Sequence, residues 1–182
     1  KFLACMESLV SPVWLVHVRE TSVGGNSPDN THPFSREWMG RDYGYAHNGT
    51  LKDYPKETLG PRFYPTGATD SEWGFCRLLE TMASKFPGTR VGESFMEAPE
   101  APKLFEAACR EIDFWGRFNL LFSDGRSLWV YGDEEGYKGL SWRATEAGAL
   151  IATVPLDREG WTSLEPGRLT RFLDGKKQEN VR

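Results

Sequence analysis

Residues 118–131 read FNLLFSDGRSLWVY. Two apolar and aromatic runs, 118–123 and 126–131, flank Asp124-Gly125, a dipeptide that favours a tight β-hairpin turn. This stretch predicts two adjacent antiparallel strands and so sets the class of the fold. Upstream of it, 70–86 predicts a helix. Phe75, Leu78, Leu79, Met82 and Phe86 recur on one face, Thr69 and Glu72 form a capping-box pair, and Pro87-Gly88 stops the run. A second helix is expected over 103–112, with Leu104, Phe105, Ala108 and Ile112 inward.

Nearer the start, VWLVHV (13–18) predicts a short buried strand. YGYAH (43–47) predicts another that ends at an Asn48-Gly49 turn. Residues 21–33 are dense in Gly, Asn, Ser and Pro, and a further Pro- and Gly-rich loop ends at Thr69. Two more strands are expected over 150–154 and 168–172. Strands, then helices, then strands, joined by hairpins, point to an α+β layered domain with antiparallel sheets rather than βαβ units.

The chain has 182 residues, enough for one domain (1–182) with a real core. A net charge of −4 leaves no basic face for nucleic acid or an anionic membrane, and no apolar run is long enough to span a bilayer. Cys5, Cys76 and Cys109 have no CxxC spacing, which favours reduced thiols and a cytoplasmic setting over disulfides or zinc. The seven tryptophans are most simply core and sheet packing.

His17, His32 and His47 cluster in the first fifty residues beside Arg19, Asn48 and Gly49. A metal site built from these histidines and Asp70 lacks the i, i+4 spacing of helical ligand pairs. A serine hydrolase would need a GxSxG elbow, and the sequence has none. The third option is a site for a zwitterionic amino acid, which needs a guanidinium, a carboxylate and oxyanion donors. Arg19, Asp70 and Asn48-Gly49 could supply these in turn. Each also has a plain alternative: an ion pair for Arg19, a helix start for Asp70, a simple turn for Asn48-Gly49, and structural roles for His17 and His32.

HVRETS (17–22), NTHPF (30–34), AHNGTL (46–51) and TGATDSE (66–72) together resemble the class II glutamine amidotransferases, in the family's order and at similar spacing. FNLLFSDGRSL (118–128), IATVPL (151–156) and WTSLEPG (161–167) fit as well, so the resemblance covers most of the chain, nearest to the small stand-alone bacterial members. It implies an αββα sandwich of the N-terminal-nucleophile class, two stacked antiparallel sheets flanked by helices. It implies cleavage of the γ-amide of glutamine, or of a γ-glutamyl amide, with no cofactor and no metal. Asn48 and Gly49 would form the oxyanion hole, Arg19 would clamp the substrate carboxylate, Asp70 would hold its α-ammonium, and Ser22 would add a hydroxyl contact. The partner is glutamine or a γ-glutamyl small molecule; an acceptor or synthase partner and self-association stay open.

The family's nucleophile is a Cys at the mature N-terminus, whose own α-amine is the base. Residue 1 here is Lys, Cys5 lies too close to HVRE to substitute, and Val23 stands where some relatives carry His. The expectation is an N-terminally incomplete domain, its first strands missing, which is inactive as written. A non-catalytic binding module of the same fold is the second reading.

Overall fold

The computed structural model describes residues 10–18, 27–155 and 157–179, and the main chain but not the side chain of Thr58. Nine strands and two α-helices follow one another along it. In chain order they are β1 (Phe34–Trp38), β2 (Arg41–Leu51), α1 (Asp70–Lys85), α2 (Ala101–Asp113), β3 (Gly116–Ser123), β4 (Ser127–Tyr131), β5 (Ser141–Thr145), β6 (Gly148–Ala152), β7 (Thr162–Ser163), β8 (Leu169–Leu173) and β9 (Lys176–Lys177). All described pairings are antiparallel. They form a six-stranded sheet, β1-β2-β3-β4-β8-β9, and a three-stranded one, β6-β5-β7.

Period-2 alternation divides the large sheet into two faces. Tyr43, Tyr45, Phe118, Leu120, Phe122, Trp129 and Tyr131 turn to one side, where they meet Phe75, Leu78, Leu79 and Met82 of α1 and Phe105, Ala108 and Ile112 of α2. Leu121, Leu128, Val130 and Phe172 turn to the other side and meet Trp142, Ala149 and Ile151 of the small sheet. The Trp142 and Phe172 rings lie 5.7 Å apart across that layer. The result is the stacked antiparallel pair of an α+β sandwich, with both helices on the outer face of the large sheet.

Helix α1 starts as the sequence indicates: the Thr69 side chain accepts the Glu72 N–H at 3.1 Å. Glu72 does not complete the reciprocal box. Its fully buried carboxylate instead accepts from the Thr66 N–H at 2.9 Å and the Gly67 N–H at 2.7 Å, and pairs with Arg36 of β1. The group that would have capped the helix ties the preceding loop to the sheet. At the β3–β4 hairpin, Asp124 Oδ1 accepts both the Arg126 and Ser127 N–H groups. That capture draws Arg126 into the loop, so β4 begins one residue later than expected.

Two expectations need correcting. Residues 13–18 form no strand: Val16 is 55% and Val18 95% exposed, and no described strand offers the run a ladder partner. A β-branched run suits a pleated surface, but backbone partners make a strand. The segment meets the fold through side chains, with Leu15 against Gly44 and His17 stacked on His32 at 4.2 Å. Second, Asn48-Gly49 is no turn. Both residues sit inside β2, opposite Asn119 and Phe118. No local sequence signal marks β1; its hairpin to β2 turns at Met39 and Gly40, both at positive φ (52° and 74°). Strands β5, β7 and β9 likewise carry no clear local signal.

Behind the sheet, Asp113 at the end of α2 is a buried carboxyl that gives a first test. Its Oδ2 accepts the Tyr131 hydroxyl at 3.0 Å and the Glu134 N–H at 2.8 Å, with the Asp133 carboxylate close by. Burial, helped by Asp133, pushes Asp113 up to about 7 from 3.8. Between those values the folded protein holds a proton that the unfolded chain releases, so this group's contribution to stability falls as pH rises through the window. Asp113→Asn keeps the accepting oxygen without the charge. Its melting temperature relative to wild type should climb by a few degrees from pH 5 to pH 8. A difference that stays flat with pH contradicts this account of Asp113.

Candidate active site

The middle of β2 carries the candidate residues, and the strand's alternation sorts them. His47 and Gly49 face the helices, while Asn48 faces the small sheet. Asn48 Nδ2 donates to Thr153 Oγ1 at 3.2 Å, just past β6. Opposite it on β3, Asn119 Nδ2 donates to the Tyr137 carbonyl at 2.7 Å, and its Oδ1 accepts the Asp133 N–H at 3.2 Å. The Asn48 amide therefore sits in the seam between the sheets, held by a neutral hydroxyl.

Backbone directions follow from the ladder. The Lys52 N–H donates to the Trp115 carbonyl at 2.7 Å, whereas the Leu51 N–H turns the other way, to Asp70 Oδ2 at 2.6 Å. Even positions here face β3 and odd positions face the edge beside β1. Since β1 ends opposite Tyr45, the Gly49 N–H points to that edge beyond the last β1 partner. Asp70 lies along the same edge two residues on, about 7 Å away at the usual strand rise. Asp70 is buried, 6% exposed, and it ties the start of α1 to the end of β2. The helix-start reading and the site reading thus fall on one carboxylate.

Gly49 is required by close approach. A Cβ built on it would lie 1.8 Å from the Arg117 carbonyl oxygen and 2.6 Å from His47 Nε2. His47 is 2% exposed and bonded at both ring nitrogens: Nδ1 to Ser71 Oγ at 2.8 Å, Nε2 to the Arg117 carbonyl at 2.9 Å. A carbonyl only accepts, so Nε2 carries the proton and Nδ1 accepts from the Ser71 hydroxyl. Burial is the main cause that lowers the His47 pKa and keeps the ring neutral, against the raising effects of the Arg117 carbonyl, Asp70 and Asp133.

Arg19 and Ser22, assigned to the substrate carboxylate, lie outside the described residues, as do Cys5 and Val23. His17 and His32 stack on one another beside Phe34, and His47 is engaged with Ser71 and Arg117. Among the described residues no group of three or more His, Cys, Asp or Glu is placed to hold a metal ion. Cys76 and Cys109 are buried in the helix layer, where burial pushes the Cys76 thiol up to about 11 and the Cys109 thiol well up. Both are core side chains, and neither thiol is disposed to ionise as a nucleophile. No described helix is long and apolar enough to cross a membrane.

Sequence reasoning brought out Asn48, Gly49 and Asp70 but missed Ser71, Thr153 and Asn119. Thr153 holds the Asn48 amide, Asn119 pairs with Asn48 across the ladder and Ser71 holds His47, each from a distant part of the chain, so no local pattern marks them.

Against known proteins, the sequence model for class II glutamine amidotransferases matches residues 2–141. The Escherichia coli protein named "Putative glutamine amidotransferase YafJ" is 31% identical over 185 residues, 90% of this chain and 70% of its own length. An uncharacterized protein of Methanocaldococcus jannaschii is 33% identical over 91% of this chain, which spans about half (51%) of that relative. The crystal structure of a "predicted glutamine amidotransferase" from Pseudomonas aeruginosa superposes with a TM-score of 0.68 at 31% identity, covering 84% of this chain and 66% of the other.

Proposed function

The chain belongs to the class II glutamine amidotransferases, and we propose that it carries the oxyanion hole and substrate grip of a glutamine γ-amide-cleaving site. The observation that supports this most is the shared edge of β2. There the Gly49 N–H and the Asp70 carboxylate follow one another along a strand that β1 no longer covers, with the neighbouring Asn48 amide in the adjoining seam between the sheets. Donors at one end and a buried carboxylate about 7 Å away suit an amino acid whose amide and α-ammonium are separated by its side chain.

In this reading a thiolate from outside the described residues attacks the amide carbon. The C–S bond forms and the carbonyl electrons move to oxygen, which the Gly49 N–H and Asn48 Nδ2 stabilise. Collapse breaks the C–N bond and releases ammonia after protonation by the base that took the thiol proton; water then hydrolyses the thioester to glutamate. Asp70 receives the α-ammonium, and Arg19, with Ser22, receives the carboxylate. A bidentate guanidinium fixes orientation better than an ammonium, so Arg19→Lys should weaken binding. Transfer of the ammonia to an acceptor or synthase partner, and hydrolysis of a γ-glutamyl amide instead of glutamine, are variants of this chemistry at the same site.

Asp70→Asn tests the grip. Asn keeps an oxygen for the Leu51 N–H and is comparable to Asp near a helix start, so the melting temperature should move by only a few degrees. The KM for glutamine in the full-length protein should rise about tenfold or more, since a charge-assisted bond is lost. A large loss of stability with unchanged KM would make Asp70 a structural residue alone.

A further inference from the structure

Resting on the reading of Asn48-Gly49 as the oxyanion hole, we propose that His47 is a positioning residue whose neutral ring holds the Gly49 segment of β2 in its working geometry, so that the site loses turnover when the ring is protonated.

The ring lies under the site rather than in it. Its Nε2–H holds the Arg117 carbonyl, the same oxygen that fills the space where Gly49 would carry a side chain. Its Nδ1 is fixed by the hydroxyl of Ser71, one residue after Asp70 on α1. One imidazole therefore links the three pieces that must stay in register: the strand with the donors, its β3 neighbour and the helix start with the carboxylate.

The link works in one protonation state. A second proton on Nδ1 would turn an acceptor toward a hydroxyl into a donor, and Ser71 would have to rotate or the ring withdraw. The groups facing the ring are Tyr45 on β2 at 6.4 Å between ring centroids, Phe118 on β3 at 5.1 Å, Asp70 and Ser71 on α1, and Asp133 beyond β4. The two carboxylates favour protonation, yet burial outweighs them and keeps the ring neutral below the usual histidine range. The folded protein resists a proton that the unfolded chain accepts. Stability linked to this ring is complete above pH ~6.5 and declines as pH falls below it, while the geometry holds until the folded ring itself takes the proton, below the usual histidine range.

The test uses the full-length protein and compares wild type, His47→Ala and His47→Gln in glutamine hydrolysis from pH 5 to 8. Gln can donate to the Arg117 carbonyl and accept from Ser71, but it does not titrate. Ala should lose about tenfold or more in kcat with KM within about twofold, and Gln should recover most of that loss at pH 7.5. The ratio of Gln to wild-type kcat should hold steady near pH ~6.5 and rise at lower pH, where the folded ring itself takes the proton, which a merely structural residue would not produce. Gln as impaired as Ala, or a ratio flat with pH, overturns the proposal. If Ala does not fold, the Gln ratio alone decides. If wild type releases no ammonia, the functional reading fails and nitrogen-15 NMR decides the positioning role. A neutral Nε2–H ring at pH 6, whose protonation shifts the Gly49 amide, supports it; a ring titrating without effect on Gly49 overturns it.

Discussion

Replacing Asn48 by alanine in the full-length protein is expected to lower kcat for glutamine hydrolysis about a hundredfold or more, with KM changed less than about threefold. The reason lies in where its amide rests. Asn48 Nδ2 sits on the Thr153 hydroxyl at 3.2 Å, a long bond to a neutral acceptor. An oxyanion forming at the Gly49 N–H would be a far better acceptor, because hydrogen bonds to charged groups are roughly twice as strong as neutral ones. The amide gains little from the ground-state carbonyl and much from the transition state, and that difference appears in kcat. Asn48→Asp should be at least as damaging, since it keeps the shape while replacing the donor with a negative charge. In stability, Asn48→Ala forfeits one half-exposed neutral bond, about 1 kcal/mol, so the variant should remain folded. A raised KM with unchanged kcat would make Asn48 a ground-state binding residue.

Gly49→Ala is expected to remove activity by a different route, through the fold. The new Cβ would lie 1.8 Å from the Arg117 oxygen and 2.5 Å from its carbonyl carbon. Both are backbone atoms of the paired strand, so no rotamer change relieves the clash. Strands β2 and β3 would have to separate locally, and the His47 bond to that same carbonyl would go with them. We expect a loss of about 3 kcal/mol or more, a drop in melting temperature of roughly 10 °C, and no measurable turnover. Gly88→Ala is the control, because nothing lies within 4 Å of a Cβ there. A Gly49→Ala protein that melts within about 2 °C of wild type would show that the strands yield easily.

The helices and the β3–β4 hairpin were legible because each is specified locally. Helical spacing, a Thr69 cap and a Pro87-Gly88 stop are all in one stretch of α1, and Asp124-Gly125 marks its own turn. Asn48-Gly49 misled for the same reason. Read locally it is a hairpin turn, but here glycine serves the approach of a carbonyl from β3. The turn that does exist, Met39-Gly40, places a methionine at positive φ and so carries no Asn or Asp signal. Arg19 and Ser22 lie outside the described residues, so their roles rest on the sequence alone. Asp70 was legible as a residue but not as a tie between α1 and β2, since its partner Leu51 is nineteen positions away. His47 shows the limit most clearly. Among three histidines it read as one more candidate ligand, and only the contacts with Ser71 and Arg117 assign it a task.

Ammonia release from L-glutamine by the full-length protein tests the account most directly. The account predicts ammonia and glutamate in equal amounts, well above the buffer rate, with release lost in Asn48→Ala. A folded protein that binds glutamine and releases no ammonia would be a binding module and would contradict it.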